Sequence, residues 1–150
     1  MIIAFPPCTY LSNAGATWLY PQKGVLNQER YQKGLKAKEF FMQFYNADCE
    51  RIAIENPIPS RIYDLPQRSQ IVQPYEYGHP YSKKTCLWLK NLPSLTPTNI
   101  LDKYVPFVSS GSASRRGLSA KDGMKSLAKD RAKTFPGIAK AMAEQWQTVF

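Results

Sequence analysis

The chain has 150 residues, of which 43% are hydrophobic and 13% aromatic, a composition that excludes an intrinsically disordered chain and suits one folded domain over 1–150. No apolar run approaches the ~20 residues of a membrane-spanning helix, and no secretory signal pattern opens the chain, so we expect a cytoplasmic protein without a membrane partner. The net charge of +9 and the pI of about 9.5 indicate an anionic partner, DNA or a nucleotide.

The first third of the chain predicts a strand, a long loop, a helix and a second strand. Residues 1–5 are all apolar, which is typical of a buried strand, and scattered Pro, Gly, Ser and Asn predict a loop at 6–28. Apolar residues recur at helical spacing over 29–47. A second strand is predicted at 51–55, and the Asn-Pro pair after it should end it. Strand, helix and strand in this order favour a parallel pair with a right-handed crossover.

Turn-forming residues divide the rest of the chain into shorter elements. We expect a loop with one helical turn at 59–68, and strands at 69–75 and 84–90 that form a long-looped hairpin. The proline-containing stretch 92–108 predicts extended chain. A helix is predicted at 136–149, with proline in its first turn.

A basic segment precedes this last helix. Between Ser109 and Thr134 the chain has seven basic residues and only two acidic ones. We expect a mobile loop whose cations hold phosphates through salt-sensitive contacts. An equally acceptable interpretation is a solvated loop without any ligand. The candidate phosphate-binding residues are Arg115, Arg116, Lys121 and Lys125.

Two chemically active side chains follow the first two predicted strands. The element order favours an α/β fold, and ligands of such sheets lie beyond the carboxyl ends of the strands, where Cys8 and Glu55 fall. An exposed thiolate there is a good nucleophile, and a neighbouring carboxylate can donate or accept a proton. The alternatives are a small buried cysteine and a surface ion pair. Cys49 and Cys86 are interpreted as packing residues, and with no Cys-x-x-Cys pair we expect neither disulfides nor a metal site.

The motifs around these two residues resemble a known family. Pro-Pro-Cys after an apolar strand and Glu-Asn-Pro after the next are similar to motifs of the DNA cytosine-5 methyltransferases. The stretches PPCTYLSNAG, SQIVQPYEYGHPYSKKTCLWLKNLPSLTPTN and RAKTFPGIAKAMAEQW resemble phage-encoded members. The resemblance implies that Cys8 attacks C6 of a flipped cytosine and that Glu55 contacts N3 and the exocyclic amine. It also implies a phage protein acting in the host cytoplasm.

One part of the family pattern is missing from the sequence. The family opens with a strand, a glycine-rich turn and a helix that hold S-adenosylmethionine, and nothing of this kind precedes Cys8. The resemblance therefore implies a partial Rossmann-like methyltransferase sheet with flanking helices, whose cofactor half is missing or comes from another chain. Its first strand, Ile2 to Phe5, would be an open sheet edge that a homodimer mate, a second chain or a rearranged loop must cover. A gene start further upstream is a third explanation.

Further residues are candidates for binding the base or substrate. Ser12 and Asn13 could bind the base or cap a turn. Near the end of the third predicted strand, the only histidine could be a base or a satisfied hydrogen-bonding residue, and two lysines could contact phosphate or solvent. The full set is Pro7, Ser12, Asn13, Asn56, His79, Lys83, Lys84 and Thr85.

Two functional hypotheses follow. The first is an enzyme that modifies cytosine in DNA or in a nucleotide, with Cys8 as nucleophile and Glu55 stabilising the activated ring, and with S-adenosylmethionine bound elsewhere. The second is an inactive module of a phage that binds a nucleotide or a host protein, for example in counter-defence. The missing cofactor motif favours the second hypothesis, and the intact Cys8 and Glu55 favour the first.

Overall fold

The computed structural model of the chain describes residues 1–107 and 133–147. It divides into two units, the first formed by Met1–Ile71 with Thr85–Ser94 and the second by Val72–Lys84 with Leu95–Phe150. None of the described helices is both long enough and apolar enough to cross a membrane.

The secondary structure is mixed α and β, as expected from the sequence. The elements in chain order are β1 (Ile2–Ala4), α1 (Asn13–Ala16), α2 (Gln28–Tyr45), β2 (Ile52–Pro57), a 3-10 turn (Arg61–Tyr63), β3 (Gln70–Val72), a second 3-10 turn (Pro74–Glu76), β4 (Tyr81–Ser82), β5 (Thr85–Lys90), β6 (Val105–Pro106) and α3 (Pro136–Trp146). The long helix and the four predicted strands are all present, although the third strand is shorter than predicted.

Four strands form one mixed sheet in the order β1-β2-β5-β3. β1 pairs with β2 in parallel, with Ala4 opposite Ile54, which confirms the parallel pair predicted from the strand–helix–strand order. β2 pairs with β5 in antiparallel orientation along its whole length. The sheet is therefore mixed, because the β1–β2 pair is parallel and the β2–β5 pair is antiparallel. β1 forms one of its edges.

Two local predictions were wrong. The Asn-Pro pair does not end the second strand, because Asn56 and Pro57 still pair with Cys86 and Thr85 of β5. Proline lacks an N–H but sits here at the last strand position, where one missing donor is tolerated. The segment 6–28 is also not wholly a loop, since the Ser12 side chain accepts a hydrogen bond from the backbone N–H of Gly15 and caps the short helix α1.

Helix α2 packs on the sheet and builds the core of the first unit. Its N-cap Asn27 accepts a hydrogen bond from the Arg30 backbone N–H, and Phe41 contacts Trp88 edge to face at 5.0 Å between ring centroids. Gly34 is buried in the middle of this helix, and a methyl group there would overlap the ring of Tyr63. The helix thus gives up the propensity of alanine, about 1 kcal/mol, for a close approach to the 3-10 turn.

The second unit contains a small parallel pair and the last helix. β4 pairs with β6, with Tyr81 opposite Val105. Pro136 occupies the first turn of α3, where its missing N–H is harmless. The buried side chains of this helix are Ile138, Ala141, Met142 and Trp146.

Candidate functional site

A buried hydrogen bond joins the two sequence motifs. The side-chain amide Nδ2 of Asn56 donates to the backbone carbonyl of Pro6 at 2.8 Å, and Asn56 is almost fully buried. Asn56 follows Glu55 in β2, and Pro6 precedes Pro7 and Cys8 in the loop that leaves β1. Because β1 and β2 run in parallel, the bond fixes the Pro-Pro-Cys loop beside the carboxyl-terminal half of β2.

Backbone hydrogen bonds hold the Cys8 loop against the chain that leaves β2. The Ser12 N–H donates to the Cys8 carbonyl at 3.0 Å and closes a turn that starts at the half-buried cysteine. The Asn13 N–H then donates to the carbonyl of Ile58 at 2.9 Å, and the Ser60 N–H donates to that of Leu11 at 2.7 Å. The loop therefore has a defined path that keeps it next to the Glu-Asn-Pro strand.

Arg30 fixes the other side of this loop. Its guanidinium donates to the carbonyl of Gly15 from Nε and Nη2, at 3.3 and 3.2 Å, and from Nη2 to the carbonyl of Thr9 at 3.5 Å. It also lies 5.0 Å from the centre of the Tyr10 ring, within cation–π range. Sequence reasoning missed Arg30, because it belongs to a helix surface pattern and its partners are backbone atoms that only the fold brings within reach.

The buried thiol of Cys86 lies within electrostatic range of both Glu55 and Arg68. Cys86 lies opposite Asn56 on β5 and is fully buried, as its interpretation as a packing residue requires. Burial raises the pKa of the Cys86 thiol to about 11, while Arg68 lowers this pKa and Glu55 raises it. Glu55 and Arg68 are thus both within electrostatic range of the same thiol. The thiolate form of Cys86 is disfavoured, which leaves the half-buried Cys8 as the better candidate nucleophile of the two.

The other candidates in the first unit occupy different environments. Pro7 and Asn13 are exposed, and Ser12 is buried as the cap of α1. Thr85 is buried at the start of β5, opposite Pro57. The Cys8 loop itself carries Pro7, Ser12 and Asn13. Thr85 lies beside β2, the strand that carries the Glu-Asn-Pro motif.

The remaining candidates belong to the second unit or lie outside the described residues. His79 accepts a hydrogen bond at Nε2 from the Gly137 N–H at 2.9 Å, and its ring lies 5.1 Å from that of Phe135. This hydrogen bond anchors the start of α3. The Lys83 ammonium donates to the Lys133 carbonyl at 3.4 Å, and Lys84 is exposed. The four predicted phosphate ligands Arg115, Arg116, Lys121 and Lys125 lie outside the described residues.

Comparisons of the chain with protein-family models, with curated proteins and with solved structures find no match. In residues 1–107 and 133–147, no group of three His, Cys, Asp or Glu side chains lies close enough together to hold a metal ion.

Proposed function

We propose that the chain is a cytosine-5 methyltransferase-like protein of phage type, which uses Cys8 as a nucleophile toward a cytosine extruded from DNA or present in a nucleotide. The supporting observation is the buried bond from Asn56 to the Pro6 carbonyl, which fixes the loop of Cys8 beside the strand of Glu55. The parallel pair β1–β2, with α2 between its strands in the chain, supports the further proposal of a partial Rossmann-like sheet.

The chemistry assigned to these two residues is a reversible addition. The Cys8 thiolate forms a bond to C6, the electron pair of the C5–C6 double bond moves into the ring, and Glu55 stabilises the activated ring at N3. When C5 takes a proton from solvent, loss of the original C5 hydrogen and of the thiolate restores the cytosine. Every step uses only the protein, the base and water, and the net result is hydrogen exchange at C5.

The described residues do not fit a binding site for S-adenosylmethionine. The chain that leaves β1 passes through Pro6, Pro7 and Cys8 before α1, so no glycine-rich turn joins this strand to a helix. Of the described glycines, Gly15 and Gly34 are packed closely against Thr9 and Tyr63. Methyl transfer is therefore not assigned to the described residues, and in this proposal the donor would be bound outside them.

Hydrogen exchange at C5 tests the proposal without a methyl donor. Deoxycytidine oligonucleotides, as duplex and as single strand, and dCMP are incubated with the full chain in deuterium oxide, and loss of the C5 proton signal is followed by NMR. We expect exchange with the wild-type chain, no exchange with Cys8→Ser, and at least ten-fold slower exchange with Glu55→Gln.

Cys49→Ser is the matched control, because it removes a half-buried thiol that bonds the carbonyl of Arg51 and lies outside the Cys8 loop. It should exchange at the wild-type rate. Equal exchange rates in Cys8→Ser and the wild type would refute the role of Cys8. If the wild-type chain exchanges the C5 hydrogen of none of the substrates, the addition chemistry is refuted.

A second candidate function is supported by the poor fit of the described residues to a methyl donor. A module with this fold that uses no methyl donor could still bind a nucleotide or a host protein, in a phage as part of counter-defence. If this second function is correct, the chain should bind a nucleotide tightly, and Cys8→Ser should bind it with the same affinity. Neither chain should exchange the hydrogen at C5. Calorimetric titration of both chains with dCMP and with S-adenosylhomocysteine distinguishes the two functions.

A further inference from the structure

A cleft of about 660 Å³ lies in the first unit, between the chain that leaves β2 and the segment 64–68. Ile58, Pro59 and Trp88 line one part of it, and Leu65 and Pro66 line another. Its volume lies within the range of small-ligand sites, about 300–1,000 Å³, and is large enough for a nucleotide.

The wall of the cleft that the segment 64–68 forms is fixed in place. The indole Nε1 of Trp88 donates a hydrogen bond to the carbonyl of Pro66 at 2.7 Å, and Trp88 itself is buried in β5. The Lys38 ammonium donates to the carbonyl of Asp64 at 3.2 Å. These bonds tie the segment 64–68 to the sheet and to α2, so the cleft is largely formed before any ligand arrives.

The cleft carries positive charge at its opening. Arg61 and Arg68 line it and are exposed, while Asp64 is the only carboxylate of the lining. Within the ranges that the structure describes, neither guanidinium forms an ion pair with a carboxylate. An exposed guanidinium without a carboxylate partner offers a planar set of donors that matches the oxygens of a phosphate.

The cleft continues from the candidate site. Asn13 of the Cys8 loop lines it, and the wall that begins at Ile58 starts three residues after Glu55. The Ser69 N–H, next to Arg68 in the chain, donates to the Leu87 carbonyl at 2.8 Å, and Leu87 lies opposite Glu55, which places the arginine close to β2. A molecule that reaches from Glu55 along this surface would therefore meet Arg68.

We propose that this cleft binds a nucleotide phosphate through Arg61 and Arg68, with the sugar or base against the wall of Leu65 and Pro66. The proposal rests on the proposed function only in the choice of a nucleotide as ligand. The phosphate can belong to a free nucleotide or to a DNA strand. In a strand, the base of one nucleotide would lie at Cys8 and the next nucleotide would lie in the cleft.

The test is fluorescence anisotropy of a labelled single-stranded deoxycytidine 12-mer with the full chain, between 50 and 200 mM NaCl. The double variant Arg61→Gln/Arg68→Gln is compared with Lys23→Gln/Lys36→Gln, which removes the same charge from exposed positions away from the cleft. We expect the cleft variant to weaken binding at least ten-fold and to reduce the salt slope by about 1.4, at ~0.7 for each lost contact to a single strand. The control should stay within two-fold.

Two further measurements complete the test. Arg61→Lys/Arg68→Lys keeps the charge but loses the guanidinium plane, so it should bind with intermediate affinity, and circular dichroism should show that every variant is folded. Competition by dCMP identifies the source of the phosphate: displacement of the 12-mer indicates a free nucleotide, and binding of the 12-mer without displacement by dCMP indicates a strand. Equal weakening in cleft and control variants, or no binding of either probe by the wild type at 1 mM, would overturn the proposal.

The outcomes separate this proposal from the function of Cys8. Absence of hydrogen exchange at C5 together with weakened binding in the cleft variant would remove the addition chemistry and leave the cleft standing. Exchange at C5 with unchanged binding in the cleft variant would do the reverse.

Discussion

At the scale of single residues, the candidate site depends on Asn56 as much as on Cys8. The Pro6 carbonyl is held by the amide of a buried side chain, and a buried carbonyl that loses its donor costs about 1–3 kcal/mol. Within the Glu-Asn-Pro motif, Asn56 thus holds the loop that carries the Cys8 thiol beside the strand of Glu55.

Cys86 gives the first residue-scale prediction. Burial raises its pKa to about 11 from the ordinary 9, so between these values the unfolded chain loses the thiol proton while the folded chain keeps it. The stability that this group contributes is complete below pH 9 and is lost as the pH rises through 11, at most about 1.4 kcal/mol per pH unit. Cys86→Ala should therefore destabilise the fold at pH 7.5 and less so at pH 10.5, by urea unfolding.

Ile54→Val is the matched control for this titration, because it removes one methyl group from the same buried sheet and no proton. Its cost, about 0.5–1.5 kcal/mol, should be the same at both pH values. A Cys86→Ala penalty that does not change with pH would contradict the assignment of a raised thiol pKa.

The residues that sequence reasoning identified differ physically from those that it missed. Cys8 could be placed just beyond β1 because Pro6 and Pro7 follow an apolar run, whereas Glu55 was placed at a strand end but lies within β2, which continues to Pro57. Arg30 and Arg68 could not be identified, because each acts on atoms distant in the sequence, and an exposed arginine in a helix or loop looks the same with or without such partners. His79 could not be assigned either, since its partner is a backbone N–H of α3.

At the scale of elements, β1 is the exposed part of the sheet. Ile2 and Ala4 point into the core, whereas Ile3 and Phe5 lie on the other face and are 40% and 50% exposed. An apolar edge strand of this kind is a template for pairing with another chain. The resemblance implied that the first strand would be a sheet edge, and the strand order β1-β2-β5-β3 places β1 at an edge.

We expect two copies of the chain to associate through β1. Sedimentation equilibrium should give a mass above that of the monomer at 0.5 mM protein in 300 mM NaCl, where the repulsion between two copies of net charge +9 is screened. Ile3→Lys places a charge on the exposed face and should return the chain to a monomer. Val25→Lys adds the same charge at another exposed position and should associate like the wild type. Wild-type protein that remains monomeric, or equal association of both variants, would rule out this edge as the contact.

At the scale of the whole molecule, the excess of positive charge opposes folding. The chain has 20 basic and 11 acidic side chains, and the described ion pairs Lys33–Glu29, Arg51–Glu50 and Lys140–Glu144 lie mostly at the surface. Exposed pairs of this kind contribute too little to offset repulsion among the remaining cations. The net repulsion should therefore respond to screening more than to any single pair.

Salt should accordingly stabilise the fold. Raising the ionic strength from 10 to 100 mM shortens the Debye length from about 30 to about 10 Å, so the thermal midpoint should rise, by ~2–4 °C for each 1 kcal/mol of repulsion removed. Lys23→Glu/Lys36→Glu lowers the net charge from +9 to +5 and should show a smaller rise. Sodium sulfate at the same ionic strength separates screening from anion binding. If sulfate binds in the cleft, it should raise the thermal midpoint further than NaCl does, and Arg61→Gln/Arg68→Gln should remove this extra rise. A midpoint that falls with NaCl would mean that the described ion pairs contribute more than the repulsion, contrary to their exposure.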